Sequence, residues 1–132
     1  MNLLIDTHTL LWSLFDHKNI SKTVQECIVN PENAVYISVI SFGEISLKYS
    51  IGKLSLNNVK PDELPYYAEK SGYEILGITP DEVSTFYKLP KLQHKDPFDR
   101  LIIWQCIKNN MTLITKDKEL NDYIEYGLKI IW

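Results

Sequence analysis

The stretch Leu92-Gln-His-Lys-Asp-Pro-Phe-Asp-Arg-Leu-Ile-Ile-Trp-Gln-Cys106 predicts a loop that runs into a helix. Asp96 and Pro97 are typical of a helix start, because Asp accepts a hydrogen bond from a free N–H group and proline has a preset φ. Asp99 lies four residues before Ile103, so its carboxylate shares the apolar face that should turn inward. The simpler alternative is a first-turn acid favoured by the helix dipole. A buried carboxylate needs a positive partner, and we expect a bound cation.

Length and composition limit the class of protein. The chain has 132 residues, of which 45% are apolar, so we expect a single domain, residues 1–132, with a sizeable core. Its 17 acidic and 14 basic residues give a net charge of −3, so no strongly basic field is present to hold nucleic acid by itself. Cys27 and Cys106 lack Cys-x-x-Cys spacing, which indicates reduced thiols rather than a zinc or redox site. No apolar run approaches the roughly 20 residues of a membrane span, and we expect a soluble, cytoplasmic protein.

Strand-like and helical patterns alternate along the chain. Short apolar runs predict strands at Asn2–Ile5, Ala34–Ser38, Tyr73–Ile78, Thr112–Thr115 and Leu128–Trp132. Helical patterns lie between them, at Thr7–Phe15, Ser21–Val29, Val39–Ile51, Pro61 to about Ser71, Pro80 to about Leu89, Pro97–Asn109 and Lys118–Ile124. This alternation predicts an α/β layer fold with a mainly parallel central sheet. In such sheets, ligands bind beyond the carboxyl ends of the strands, where neighbouring connections diverge.

Two acids follow predicted strands. Asp6 ends the first strand, and Asp117 comes just after the strand that contains Leu113 and Ile114. If these strands are parallel neighbours, both acids lie at the same edge of the sheet. Each also precedes a helix and is a good N-cap, so the sequence leaves both interpretations open.

Glu44 is the fourth candidate acid. Ser41-Phe-Gly-Glu44 fits the capping-box pattern, in which Glu44 would return a hydrogen bond to the start of its helix. However, Glu44 lies on one stripe with Ile40 and Leu47, so it stands in an apolar row. An acid on a buried stripe again calls for a positive partner.

Carboxylates brought close together repel one another unless a divalent cation neutralises them. Hard carboxylate oxygens without accompanying Cys or His ligands suit Mg²⁺ or Mn²⁺. Such a site orients a phosphodiester and lowers the pKa of water, whether it holds one ion or two. The reaction that these acids imply is hydrolysis of a nucleic-acid backbone.

Four stretches follow one another from the first strand to the last: Leu4-Ile-Asp-Thr-His-Thr-Leu-Leu-Trp12, Ser38-Val-Ile-Ser-Phe-Gly-Glu-Ile45, His94-Lys-Asp-Pro-Phe-Asp-Arg-Leu-Ile-Ile103 and Leu113-Ile-Thr-Lys-Asp117. In this order they resemble the motifs of PIN-domain ribonucleases, in particular the VapC toxins of bacterial toxin–antitoxin pairs. The resemblance implies a PIN-like three-layer α/β/α fold and a Mg²⁺- or Mn²⁺-dependent endoribonuclease. It also implies a homodimer and a cognate VapB-like antitoxin that blocks the active site.

The resemblance also assigns roles to individual positions. The residues that match the family's metal-binding acids are Asp6, Glu44, Asp99 and the more variable Asp117. Thr7 and Thr115 match its supporting hydroxyl residues, and Asp96 is expected to cap its helix rather than bind metal. The implied products are a 5′-phosphate and a 3′-hydroxyl. One departure is the segment Ile102–Cys106, which replaces the small alanines common in that helix and bears on packing more than on chemistry.

Several other side chains are candidates for contacts with RNA. Those close in sequence to the acids are Lys91, His94, Lys95, Arg100 and Lys116. Exposed lysines are more often plain solvated surface, so this assignment stays open. Trp12, Trp104 and Trp132 could stack bases, although aromatic residues on helix faces and terminal strands usually fill cores. Apolar residues on both sides of the Glu44 helix, together with Tyr66 and Tyr67, indicate either a dimer or partner surface or a large single core.

Three other classes compete with the nuclease. A phosphatase of the haloacid-dehalogenase type needs a second acid two residues after the first, but position 8 is His. A receiver-type phosphoacceptor domain needs an acidic pair after the first strand, which Asp6 and Thr7 do not supply. The non-enzyme alternative is a PIN-like module that binds nucleic acid or protein and whose acids are only helix caps.

Overall fold

The computed structural model describes all 132 residues. Its strands are β1 (Asn2–Ile5), β2 (Ala34–Ser38), β3 (Glu74–Leu76), β4 (Thr112–Ile114) and β5 (Lys129–Ile131). They form one sheet in the order β3-β2-β1-β4-β5, and every neighbouring pair is parallel. The predicted α/β class is confirmed, with a sheet that is parallel throughout rather than mainly so.

Six α-helices connect and cover the strands. They are α1 (Thr7–Phe15), α2 (Lys22–Val29), α3 (Val39–Ser50), α4 (Leu64–Lys70), α5 (Pro80–Thr85) and α6 (Pro97–Asn109). Four 3₁₀ segments add to them: His17–Asn19, Pro61–Glu63, Phe86–Lys88 and Lys118–Tyr126. The short helix predicted after Asp117 is a 3₁₀ helix, and the helices predicted from Pro61 and Pro80 each contain a 3₁₀ turn. None of the helices combines the length and the apolar composition that crossing a membrane requires.

The core lies on both faces of the sheet, because side chains of a strand alternate in direction. Leu3 and Ile5 pack in one apolar cluster and Leu4 in another, and all three are fully buried. Helices α1 to α4 complete the first cluster with Leu10, Val24, Ile45 and Leu64. Helix α6 and the 3₁₀ helix after β4 complete the second with Ile102, Ile103, Cys106, Leu120 and Tyr123. The result is the predicted three-layer arrangement, in which each buried leucine contributes about 1.5–3 kcal/mol.

The register of the central strands fixes where the polar residues emerge. Ile5 pairs with Ile37 on one side and with Ile114 on the other, so the next residue of each strand reaches the same carboxyl edge. The connection from β1 to β2 covers one face, whereas α6, which leads to β4, covers the other. The connections therefore diverge beside β1, which is where parallel sheets form their ligand crevice.

Candidate metal centre

Asp6 emerges from β1 at this edge and is 9% exposed. Its Oδ1 accepts a hydrogen bond of 2.9 Å from the Thr9 backbone N–H, so it caps α1, as one of the two interpretations predicted. Burial raises the pKa of the Asp6 carboxyl, although the nearby hydroxyls of Thr115 and Thr9 lower it. Asp6 is thus a cap and also a buried acid in need of positive charge.

Glu44 is 2% exposed and takes no part in capping its helix. The cap of α3 is Ser38, whose hydroxyl accepts a hydrogen bond from the Ile40 N–H, so the capping-box alternative is excluded. The Thr7 hydroxyl donates to Glu44 Oε1 over 2.6 Å, and Lys48 Nζ donates to Oε2 over 2.5 Å. We did not predict the Lys48 contact, although the spacing of four residues along a helix is a recognised signal for it.

Asp99 sits in the first turn of α6, where its side chain is half-buried rather than fully interior. Asp96 caps this helix by accepting hydrogen bonds from the N–H groups of Phe98 and Asp99, as predicted. The Oδ2 atom of Asp99 lies 2.7 Å from His94 Nε2. Burial and the carboxylates of Asp96 and Glu44 raise the pKa of Asp99, while His94 lowers it.

Asp117 lies beyond β4, in the loop that enters the last 3₁₀ helix. Its Oδ1 accepts a hydrogen bond of 3.0 Å from the Glu119 N–H, and its own N–H donates to the Thr115 hydroxyl over 3.1 Å. Ligand atoms of Asp117, Glu119 and His94 all lie within 4.8 Å of one another. We did not predict Glu119 as part of the site. The only sequence signal was its position two residues after Asp117.

Hydrogen bonds and charge effects link the four predicted acids. Thr7 follows Asp6 and binds Glu44, and the Glu44 charge raises the pKa of Asp99. His94 contacts Asp99, and the Asp117 carboxylate helps to raise the pKa of His94 above its ordinary value, against the lowering effect of burial. Thr115 closes the connection, because its hydroxyl contacts Asp6 and accepts from the Asp117 N–H.

The residues at this edge fit a divalent cation. Six carboxylates belong to this neighbourhood, from Asp6, Glu44, Asp96, Asp99, Asp117 and Glu119, and the side chains that form ion pairs with them are Lys48 and His94. The hydrogen bond to Glu44 raises the pKa of Lys48, and the negative charges of Asp96 and Asp99 raise it further. This excess of oxygen donors and negative charge is the composition that suits Mg²⁺ or Mn²⁺, and the nearby imidazole favours Mn²⁺ among the two.

The predicted RNA-binding side chains have different environments. Lys91, Lys95 and Lys116 are exposed. Arg100 is not, with 7% exposed, and the structure does not support its predicted contact with RNA phosphates. Its guanidinium donates to the Leu89 and Pro90 carbonyls and to the Tyr123 hydroxyl over 2.9–3.1 Å. Arg100 therefore fastens the segment before α6 to the core, because a guanidinium is well suited to several fixed hydrogen bonds.

Comparison with known proteins places the fold. The sequence model of the PIN domain matches residues 3–125. VapBC2 from Rickettsia felis, solved with a DNA fragment from its promoter, has a similar chain with 19% identity, a TM-score of 0.70 and coverage of 99% of this chain and 98% of that one. VapBC-1 from nontypeable Haemophilus influenzae is similar with 20% identity, a TM-score of 0.69 and coverage of 99% and 97%. DNA-bound VapBC from Salmonella typhimurium is similar with 18% identity, a TM-score of 0.63 and coverage of 99% and 97%.

No curated protein matches the sequence significantly. At these identities the solved structures establish the fold alone. The PIN match, in contrast, spans nearly the whole chain and includes all four candidate acids. The chain therefore belongs to the PIN domain family.

Proposed function

We propose that the chain is a Mg²⁺- or Mn²⁺-dependent endoribonuclease that hydrolyses RNA phosphodiester bonds. The observation that carries this proposal is the set of hydrogen bonds and charge effects that links acids from four separate parts of the chain near one edge of the sheet. They come from the end of β1, from α3, from α6 and from the loop after β4. Membership of the PIN domain family supports the proposal, because the matched residues 3–125 include all four acids, which the resemblance assigns to metal binding.

The acids that would hold the ion are Asp6, Glu44, Asp99 and Asp117. A divalent ion at such a site supplies positive charge that orients the phosphodiester and makes water more acidic. The chain's own residues prepare the site: Thr7 orients Glu44 by its hydrogen bond, and the Asp96 cap fixes the helical turn that carries Asp99. Two groups of exposed lysines, one in segment 91–95 and the other beside Asp117, are placed to hold neighbouring phosphates.

The bond changes follow from hydrolysis itself. The oxygen of water forms a bond to phosphorus while the bond from phosphorus to O3′ breaks. The proton released from water leaves to solvent, and O3′ takes up a proton. The products are a 5′-phosphate and a 3′-hydroxyl, the polarity that the resemblance implies.

Cleavage of RNA by the purified chain tests this proposal. We expect cleavage with Mg²⁺ or Mn²⁺, none with a chelator, and a loss of activity in Asp6→Asn and Asp99→Asn while circular dichroism stays unchanged. Asp122→Asn is the matched control, because Asp122 is an exposed acid outside the site and its variant should cut like wild type. Undiminished cleavage by both site variants would overturn the proposal.

We further propose that the chain is the toxin of a VapBC-type pair, works in the cytoplasm and forms a homodimer. The similar solved structures named as VapBC complexes support a small antitoxin partner. Exposed apolar side chains on α3 and α4 support a protein interface; they are Leu47, Tyr49, Tyr66 and Tyr67.

Co-expression with the product of the adjacent upstream gene should suppress RNA cleavage, and light scattering should give twice the chain mass. Unchanged cleavage and a monomer mass would contradict these two statements.

A binding module without catalysis is the second candidate, since Asp6, Asp96 and Asp117 do cap helices. Glu44 and Asp99 separate the two candidates, because neither side chain caps a helix. A module of this kind would bind RNA or protein with no response to divalent ions.

A further inference from the structure

A groove next to Asp117 contains aromatic and basic side chains that have no role in holding the proposed metal ion. It is lined by Ile130 and Trp132 from the end of the chain's last strand and by segment 115–118. Its volume of about 510 Å³ lies within the range of ligand clefts. The segment 115–118 contributes one of the candidate metal-binding acids, so the groove opens beside the place where the scissile phosphate would lie. We refer to it as the Trp132 groove.

Trp132 lines the groove and forms an aromatic pair with Trp12. The rings of Trp12 and Trp132 lie 5.9 Å apart between centroids with an angle of 60° between their planes. Both side chains are only partly buried and pack against the first core cluster, which fixes the Trp132 ring in place. A ring held in this way loses little conformational freedom when a planar group stacks on it.

Positive charge borders the same groove. Lys116 and Lys118 both line it and are exposed. The Lys116 ammonium lies 5.6 Å from the centre of the Trp12 ring, within the distance of a cation–π contact. The contact keeps this cation beside the aromatic pair.

Trp104 provides a contrast within the same chain. Its indole N–H donates a hydrogen bond of 3.1 Å to the Thr85 hydroxyl, and it lies on the side of α6 that faces α5. It has the ordinary structural role expected of a tryptophan on a helix face. Trp132 differs because it borders a groove that also contains lysines and a candidate metal-binding acid.

We propose that the Trp132 groove binds one nucleotide of single-stranded RNA next to the scissile phosphate, with its base stacked on Trp132 and its phosphate held by Lys116 and Lys118. The inference rests on the proposed function and specifies the substrate for that site. An aromatic ring stacks any base that is free of a duplex, whereas paired bases are inaccessible to it. The Trp132 groove would therefore accept a base that is not paired.

Binding of a fluorescent single-stranded RNA in the presence of a chelator tests the groove without cleavage. Fluorescence anisotropy should show affinity lower by roughly ten-fold in Trp132→Leu, as expected for one lost stacked base, and close to wild type in Trp132→Phe. Lys116→Gln should weaken binding and lower the salt dependence by about one ion, whereas Lys22→Gln, on α2, should change neither. A DNA strand of the same sequence shows how far the 2′-hydroxyls contribute.

A scan in which single nucleotides of the RNA lose their base provides a test that changes the RNA instead of the protein. Its result with the wild-type chain does not depend on the folding of any variant. One abasic position beside the cleavage site should weaken binding by the wild-type chain, and the same position should cost almost nothing further in Trp132→Leu. Wild-type affinity in Trp132→Leu, or no sensitive position in the scan, would overturn this inference. RNA cleavage would then still support the proposed function, whereas the absence of any cleavage with Mn²⁺ would remove the function on which the inference rests.

Discussion

At the scale of single residues, the Thr7 hydroxyl orients the most deeply buried acid of the site. It donates to Glu44 over 2.6 Å and also lies 3.0 Å from the Ser41 hydroxyl. Without this bond, one oxygen of a 2% exposed carboxylate loses its partner. Positioning of this kind is what separates a cluster of acids from a site that holds an ion in one geometry.

Thr7→Val should therefore reduce activity while the fold persists. Removal of a group that orients a metal ligand typically costs 10–100-fold in metal affinity or activity, so we expect a loss on the order of ten-fold or more in RNA cleavage. Thr7→Ser keeps the hydroxyl and should stay near wild type. Equal cleavage rates for the valine and serine variants would show that the hydroxyl does not matter.

The substitution Asp6→Asn should abolish activity without lowering the stability of the metal-free chain. Burial raises its pKa above the ordinary 3.8, so over that interval the folded chain binds more protons than the unfolded one, and stability falls as the pH rises. Asn caps helices as well as Asp does. Without metal, Asp6→Asn should therefore lack the part of this decline that Asp6 contributes and be at least as stable as wild type at pH 7, yet inactive. Urea unfolding in a chelator at several pH values checks this, and a less stable Asn variant at pH 7 would contradict it.

At the scale of elements, the start of α6 carries both a capping acid, Asp96, and a proposed metal ligand, Asp99. Asp96 caps the helix and Asp99 faces His94, so the two carboxylates do different work although they are three residues apart. The sequence predicted this division, because a cap before Pro has a recognisable pattern. It could not predict that His94 folds back onto Asp99, since a loop conformation has no periodicity to follow.

Asp96→Ala should lower stability by about 1 kcal/mol, the usual cost of a lost N-cap, and should leave a measurable response to Mn²⁺. Asp96→Ser replaces the cap and should recover most of the lost stability. Thermal unfolding with and without Mn²⁺ measures both effects. A complete loss of the Mn²⁺ response in the serine variant would mean that Asp96 is a ligand rather than a cap.

Arg100 joins α6 to the segment before it and to the 3₁₀ helix after β4. Two of its three hydrogen bonds are buried and the one to the Pro90 carbonyl is partly buried, and a hydrogen bond of a charged group contributes roughly 1.5–3 kcal/mol net. Arg100→Lys keeps the charge but not the fork of donors, so we expect destabilisation of about 2 kcal/mol or more. Urea unfolding measures it, with Lys95→Arg as an exposed control. A lysine variant as stable as wild type would contradict this role.

Sequence patterns could not predict two structural features, namely the helix type of Lys118–Tyr126 and the residue at which α3 begins. The segment Lys118–Tyr126 has the apolar spacing of a helix, but that spacing does not distinguish a 3₁₀ helix from an α-helix over so few turns. The capping-box pattern around Glu44 starts at Ser41, whereas the helix begins earlier, with Ser38 as its cap. Ser41 therefore lies inside the helix and is not its N-cap. Glu44 has no cap to complete, and it accepts the hydrogen bond from Thr7 instead.

At the scale of the whole molecule, the site depends on the topology of the sheet. Sequence patterns predicted five strands and the convergence of their carboxyl ends, because a parallel sheet collects all of those ends at one edge. They could not predict the strand order, which depends on packing across the whole chain. That order places β1 between β2 and β4, so that Asp6 emerges beside Thr115 and near the Asp117 loop.

The central claim is that the folded chain holds a divalent ion with acids that are far apart in sequence, and thermal unfolding during a Mn²⁺ titration tests it most directly. The chelated wild-type chain is the reference, with Asp99→Asn as the site variant and Asp122→Asn as the exposed control. We predict a rise in melting temperature for wild type and control, equivalent to about 2.7 kcal/mol at a hundred times Kd, and little or no rise for Asp99→Asn. An absent response in wild type, or the same response in all three chains, would contradict the account.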